Sequence, residues 1–293
     1  MMAIYTLQSG ALRVQISDDG AELMTIQDIA TEKQYLWYGD GTYWGRRSPV
    51  LFPFVGSLKN KEFQYNGKSY PMTQHGFARD MTFQMTEHTV DTIWFSLEAN
   101  EETMEKYPFH FLLEVGYQLQ ERTLKVMWRV TNKDTKTMFF SIGGHPAFMC
   151  PVGEEGKQSD CYLLFDTPNV LTYGKLSSNG LIESQDHILD TKQGCLPIDE
   201  HLFDEDALVI EGGQAHKVSL AGPNRKPYLT VTFTAPLFGL WSPAGKHAPF
   251  VCIEPWYGRC DKESFTGMLA DREYGNELRP GKQFEADYRI TVE

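Results

Sequence analysis

Apolar and polar residues alternate with period two along most of this chain. TLKVMWRVTN (123–132) sets Leu124, Val126, Trp128 and Val130 on one face, with Lys125, Met127 and Arg129 on the other. YLTVTFT (228–234) and the C-terminal DYRITVE repeat the pattern. A period of two fits half-buried antiparallel strands, not helices. Turn signals punctuate the pattern at SDDG (17–20), YNGK (65–68), LAGPN (220–224) and RPGK (279–282). MTFQMTEHTVDTIWFSLEA (81–99) and LLEVGYQLQERTLKVMWRV (112–130) each read as two strands joined by a short polar turn. Helical character is confined to EETMEKYPF (101–109), room for about two turns before Pro108 stops them. No Pro/Ser/Gly linker, low-complexity segment or repeat divides the chain. The pattern predicts one all-β domain over residues 1–293: many antiparallel strands in two large sheets packed face to face, with few short helices.

Composition narrows the function. A net charge of −12 lacks the basic footprint that nucleic acid or an anionic membrane requires. It leaves room for an anionic small molecule held by local arginines. The start, MMAIYTLQSGALRVQ, has no basic n-region, apolar core or small-residue cleavage site, and no apolar run approaches the ~18 residues of a membrane span. The five cysteines form no CxxC pair, and an odd number argues against a disulfide framework. These features predict a reduced, cytoplasmic protein.

Four stretches could carry chemistry. In YWGRRSPVLFPFVG (43–56), Arg46 and Arg47 precede a proline-broken apolar run, and a guanidinium fork suits hydroxyl, carboxylate or phosphate oxygens. In TQHGFARD (73–80), His75 is followed by Gly76 and, four residues on, by Arg79. In SIGGHPAFMCP (141–151), Gly143 and Gly144 permit backbone angles other residues avoid, and Pro146 restricts His145 to an extended conformation. An imidazole aimed in this way suits proton transfer near neutral pH. In PFVCIEPWYGRCD (249–261), a buried strand delivers Glu254 at or near its end among apolar neighbours, where partial burial would raise its pKa towards that of a general base. Each could equally be structural: a turn, a solvated arginine pair, a satisfied histidine or a salt-bridged glutamate. HExxH, GxSxG and P-loop patterns are absent. Together the set fits proton transfer on a neutral polyol, with Trp44, Phe77 and Trp256 as aromatic surface for a sugar's C–H face.

Arg-x-x-Pro-x-x-Phe-Pro, HGFAR, GGHPAF and IEPW, in this order and over nearly the whole chain, resemble the aldose 1-epimerase (galactose mutarotase-like) superfamily, and its LacX-type branch in particular. The resemblance implies a β-supersandwich that interconverts the α and β anomers of an aldose without cofactor or metal. It further implies His145 as general acid to the ring oxygen and Glu254 as general base to the anomeric hydroxyl. His75 would orient the sugar and steady charge, and Arg46 would bind substrate. A sugar-binding aspartate falls in LFDEDALVI (202–210), where Asp206 is preferred over Asp204. Arg47, and Ser57 after Gly56, depart from the pattern of many relatives and leave substrate choice open.

Three rivals remain at this point. HGFAR also resembles the hexose-6-phosphate mutarotase branch, in which case Arg79 and Arg46 would hold a phosphate. A non-catalytic sugar-binding module would not require both His145 and Glu254. A metal-dependent cupin-like protein would use His75, His145 and Glu254 as ligands, but a tight HxH cluster is missing. The expected partner is a monosaccharide, with neither nucleic acid nor membrane, and a homodimer is compatible with the sequence.

Overall fold

The computed structural model describes residues 2–153 and 156–293. The hairpins fall where alternation places them. Phe111–Gln120 and Thr123–Asn132 pair antiparallel, joined at Glu121 and Arg122, and Gln283–Val292 lies on the far side of Thr123–Asn132. Leu124, Val126, Trp128 and Val130 are buried as the pattern requires, each such burial stabilising the fold by about 1.5–3 kcal/mol for a large apolar side chain. The helix is shorter than the sequence allows, Glu101–Lys106, capped reciprocally by Asn100 and Thr103 and closed before Pro108.

Two large antiparallel sheets dominate. One has nine strands, running from Cys195–Pro197 at one edge to Gln84–His88 at the other. The other has eight, running from Ile182–Leu189 to Val50–Leu51. A three-stranded meander, Ile4–Gln8, Leu12–Ser17 and Leu23–Asp28, is tied to the nine-stranded sheet where the Tyr117 hydroxyl donates to the Ala21 carbonyl at 2.6 Å. All five cysteines are free thiols. Among the described residues, no helix is long and apolar enough to cross a membrane.

Within the eight-stranded sheet the strand Phe250–Tyr257 is buried on both faces, and parity sorts its side chains. In Phe250–Tyr257, Val251 and Ile253 enter the main core, while Phe250, Cys252 and Trp256 pack in smaller clusters on the opposite face. Glu254 shares their parity and so faces away from the main core. It lies inside the strand, not at its end as Pro255 suggests in the sequence. Pro255 is tolerated there because the neighbouring ladder is interrupted at that point.

Candidate active site

The interruption is made by His145 and Pro146. Ile142–Gly144 and Ala147–Met149 both pair with Phe250–Tyr257, through Gly143↔Trp256 on one side of the break and Ala147↔Cys252 on the other. The register is the same on both sides, so His145 stands directly across from Glu254. Only a long bond from the Ile253 N–H to the Pro146 carbonyl, 3.3 Å, spans the gap. Residues facing each other across an antiparallel pair have Cβ atoms about 5 Å apart. His145 Nε2 accordingly comes within 3.3 Å of Glu254 Oε2.

The glycines before His145 serve differently from the sequence expectation. Neither Gly143 nor Gly144 occupies the left-handed region. What they provide is space. A Cβ on Gly143 would lie 2.5 Å from Trp256 Cδ1, and one on Gly144 would lie 2.9 Å from the Tyr288 hydroxyl. Backbone freedom matters instead at HGFAR, where His75 has φ 68° and Gly76 φ 72°, and a Cβ on Gly76 would strike the Phe52 carbonyl at 2.3 Å. His75 donates its backbone N–H to the Gly56 carbonyl, and the Gly56 N–H donates back to His75 Nδ1 at 3.1 Å. Nδ1 is therefore the acceptor, and the neutral ring carries its proton on Nε2.

These residues line one cavity of about 970 Å³ on the outer face of the eight-stranded sheet. It brings together His75, His145, Glu254, Arg46, Arg79, Asp206 and Trp256. His145 is boxed by aromatic rings: Trp44 stacks on it at 4.7 Å, Trp241 meets it edge-on at 5.4 Å, and His75 lies edge-on at 5.6 Å. The Trp256 indole covers Gly143 and Gly239, the residues beside it and beside Glu254 in the adjoining strands. Phe77, in contrast, is absorbed into the core against Phe52, Tyr107 and Phe111. Arg46 donates to the Arg79 carbonyl at 3.3 Å and pairs with Asp80, while Arg79 donates to the Gln74 carbonyl at 2.8 Å. Arg47 turns away and donates to the Tyr38 carbonyl at 2.8 Å. Asp204 also lines the cavity, with one carboxylate oxygen engaged by His201 Nδ1 at 2.7 Å, while one Asp206 oxygen accepts from the Ala207 N–H at 2.8 Å. Trp241 lines the cavity without a motif to announce it, the parity of Leu237, Gly239 and Trp241 being the available signal, and Gln74 lines it from within TQHGFARD without having been singled out.

Burial governs the protons here. His145 is 7% exposed and Glu254 1%. Desolvation, reinforced by Arg79 and Arg46, lowers the His145 pKa to about 3. Desolvation, then the charge of Asp206, pushes the Glu254 carboxyl well above the ordinary carboxylate range, with the Trp256 indole opposing. Burial first, then His145 and the two arginines, keeps His75 neutral. Burial thus favours a neutral imidazole on His145 and a protonated carboxyl on Glu254. His145, Cys252 and Glu254 also place ligand atoms within 4.8 Å of one another, close enough to hold a metal ion, although burial pushes the Cys252 thiol well above its ordinary range and opposes the thiolate a metal needs.

This proton inventory predicts a pH dependence of stability. The unfolded chain holds no proton on these two residues above 6.5, one between 4.5 and 6.5, and two below, whereas in the folded protein Glu254 keeps its proton well above 4.5 and His145 stays neutral down to about 3. Stability follows the excess of protons in the unfolded state. The pair's contribution therefore falls as pH rises above 6.5, is flat from 4.5 to 6.5, and falls again as pH drops from 4.5 towards 3, where His145 takes a second proton. Glu254→Gln should remove the alkaline decline. Melting temperatures of both proteins across this range check it, and an alkaline slope unchanged in the variant rejects the assignment.

A two-sheet supersandwich with a cavity on its outer face is galactose mutarotase-like in fold. The chain belongs to the aldose 1-epimerase family, whose model matches residues 3–291. It is 32% identical over 295 positions to the chromosomal protein LacX of Lactococcus lactis subsp. lactis, covering 98% of each chain. It superimposes with a TM-score of 0.94 on a galactose mutarotase related enzyme from Lactobacillus acidophilus, 36% identical, covering 99% of this chain and 97% of the other. A galactose mutarotase-like protein from Lactobacillus casei gives 0.91 at 28% identity, covering 99% and 100%.

Proposed function

We propose that the protein is a cytoplasmic aldose 1-epimerase that interconverts the α and β anomers of a free aldose by acid–base ring opening. The observation that carries this reading is the in-register His145–Glu254 pair, 3.3 Å apart and buried beneath an aromatic-walled cavity. A bound sugar's anomeric hydroxyl donates to Glu254 and favours its ionised form, which moves the Glu254 proton to His145 Nε2, 3.3 Å away. Glu254 then takes the hydroxyl proton as C1–O1 becomes a carbonyl, and His145 delivers its own to the departing ring oxygen. The C1–C2 bond turns, and the same two proton transfers run backwards to close the ring on the other face. His75 Nε2–H donates to the oxygen that gathers charge, Asp206 accepts from ring hydroxyls, and Trp256 meets the C–H face.

A second reading, a sugar phosphate held by Arg46 and Arg79, draws on the buried Nε of Arg79, which makes no hydrogen bond and has only the Asp80 carboxylate at 3.9 Å. Against it, Arg46 is already paired with Asp80, and the cavity also carries Glu183, Asp204, Glu205 and Asp206. A neutral aldose fits that balance better. Polarimetry or NMR exchange with fresh α-glucose, α-galactose and glucose 6-phosphate tests both. Free sugars should be converted with the higher kcat/KM, and Arg79→Ala should leave that ranking unchanged. A preference above about tenfold for the phosphate, erased by Arg79→Ala, reverses the choice, since each charge-assisted contact is worth about 1.5–3 kcal/mol.

A further inference from the structure

At the break in its strand, the His145 backbone is held from the side away from Glu254. Its N–H donates to the Pro49 carbonyl at 3.1 Å, and the Ala147 N–H donates to the Arg47 carbonyl at 2.9 Å. Residues 47–49 thus extend the rungs of Val50–Leu51, the edge strand that pairs with Gly143 and Gly144. The same stretch of chain carries Trp44, stacked on His145, and Arg46, which reaches the Arg79 carbonyl. An edge presents N–H groups with no further strand to receive them. Here a side chain receives them. Glu22 Oε1 accepts from the Arg47 N–H and from the Ser48 N–H, each at 2.8 Å.

Glu22 reaches in from another sheet, at the end of the turn between Leu12–Ser17 and Leu23–Asp28 in the three-stranded meander. That turn is itself firmly mounted. Gly20, with φ 69°, lets it approach HGFARD so closely that a Cβ would lie 2.8 Å from the Arg79 carbonyl. The Gly20 N–H donates to the Met81 carbonyl and the Phe83 N–H to the Asp18 carbonyl, both at 2.8 Å. From below, the Tyr117 hydroxyl holds the Ala21 carbonyl. A carboxylate on such a mount fixes whatever it binds.

We infer that Glu22 is a positioning residue for the acid–base pair. By holding residues 47 and 48, it sets where the Pro49 carbonyl and the Trp44 ring keep His145 opposite Glu254. The inference rests on the epimerase reading for its catalytic consequence, while the anchoring can be read without turnover. Two N–H groups share one oxygen, so an acceptor of the right shape is required, and glutamine supplies one where alanine does not.

Glu22→Ala, Glu22→Gln and Tyr117→Phe separate this role from simple stability. Amide hydrogen exchange of the empty protein should run about tenfold faster at Arg47, Ser48, His145 and Ala147 in Glu22→Ala, and within about threefold of wild type in Glu22→Gln. For glucose or galactose, whichever the wild type converts, kcat should fall about ten- to a hundredfold in Glu22→Ala and less than about threefold in Glu22→Gln, because small displacements of an acid–base pair are costly. Tyr117→Phe loosens the same meander without touching residues 47–49, so it should lower Tm and leave kcat within about twofold. Losses of kcat that track Tm across all three variants would overturn the positioning role. So would unchanged exchange at His145 and Ala147 in Glu22→Ala. A wild type that converts no sugar would overturn the epimerase reading, and the exchange rates would still decide the anchoring.

Discussion

Glu254→Gln should lower enzymatic mutarotation by about 10² to 10⁴, the usual worth of a positioned general base. The amide matches the carboxyl in shape, so its place opposite His145 and Gly239 is kept, but it cannot accept the anomeric proton. The fold should survive, because burial already favours the neutral form of the native carboxyl. Polarimetry with spontaneous exchange subtracted reads the rate, and circular dichroism reads the fold. A folded variant keeping more than about a third of wild-type turnover would remove Glu254 from the role of base.

His145→Ala should produce a loss of the same order, about 10² to 10⁴, with a different signature. The ring is stacked on Trp44 and flanked by Trp241, so truncation opens a hole between aromatic walls and lowers stability by about 1–3 kcal/mol. That hole is shaped like an imidazole. Imidazole added to the variant should restore part of the rate in proportion to its concentration. If turnover falls less than threefold in the folded variant, the acid lies elsewhere, and His75 is then the residue to truncate.

Much of the fold was legible because strands with one face in the core must alternate, and the chain does so from Thr123 to Asn132 and again from Gln283 to Val292. The candidate site residues stood out one by one through their Gly and Pro neighbours. Their mutual arrangement was not. That His145 faces Glu254 depends on a register shared by two short strands on either side of a break, and register is a long-range property. Pro255 read as a strand end because the missing rung that accommodates it is supplied by residues more than a hundred positions earlier. The space-making role of Gly143 becomes visible only with the Trp256 ring in place. Phe77 shows the same limit: its motif neighbours line the cavity while it fills the core. The cavity wall to which Glu183 and His187 belong carries no motif, since it is assembled by strand order alone.

The depth at which His145 and Glu254 sit has an energetic consequence for the proposed reaction. With the cyclic sugar bound, the pair is an imidazolium facing a carboxylate, two opposite charges held away from water. When the ring opens, both proton transfers run in the direction that cancels them, and the open-chain aldehyde is left beside an uncharged acid and an uncharged base. Desolvation, which penalises the ionic form of each group taken singly, therefore favours the far side of the barrier. The hydrophobic walls make the acyclic form less uphill inside the protein than in water, where it is scarce.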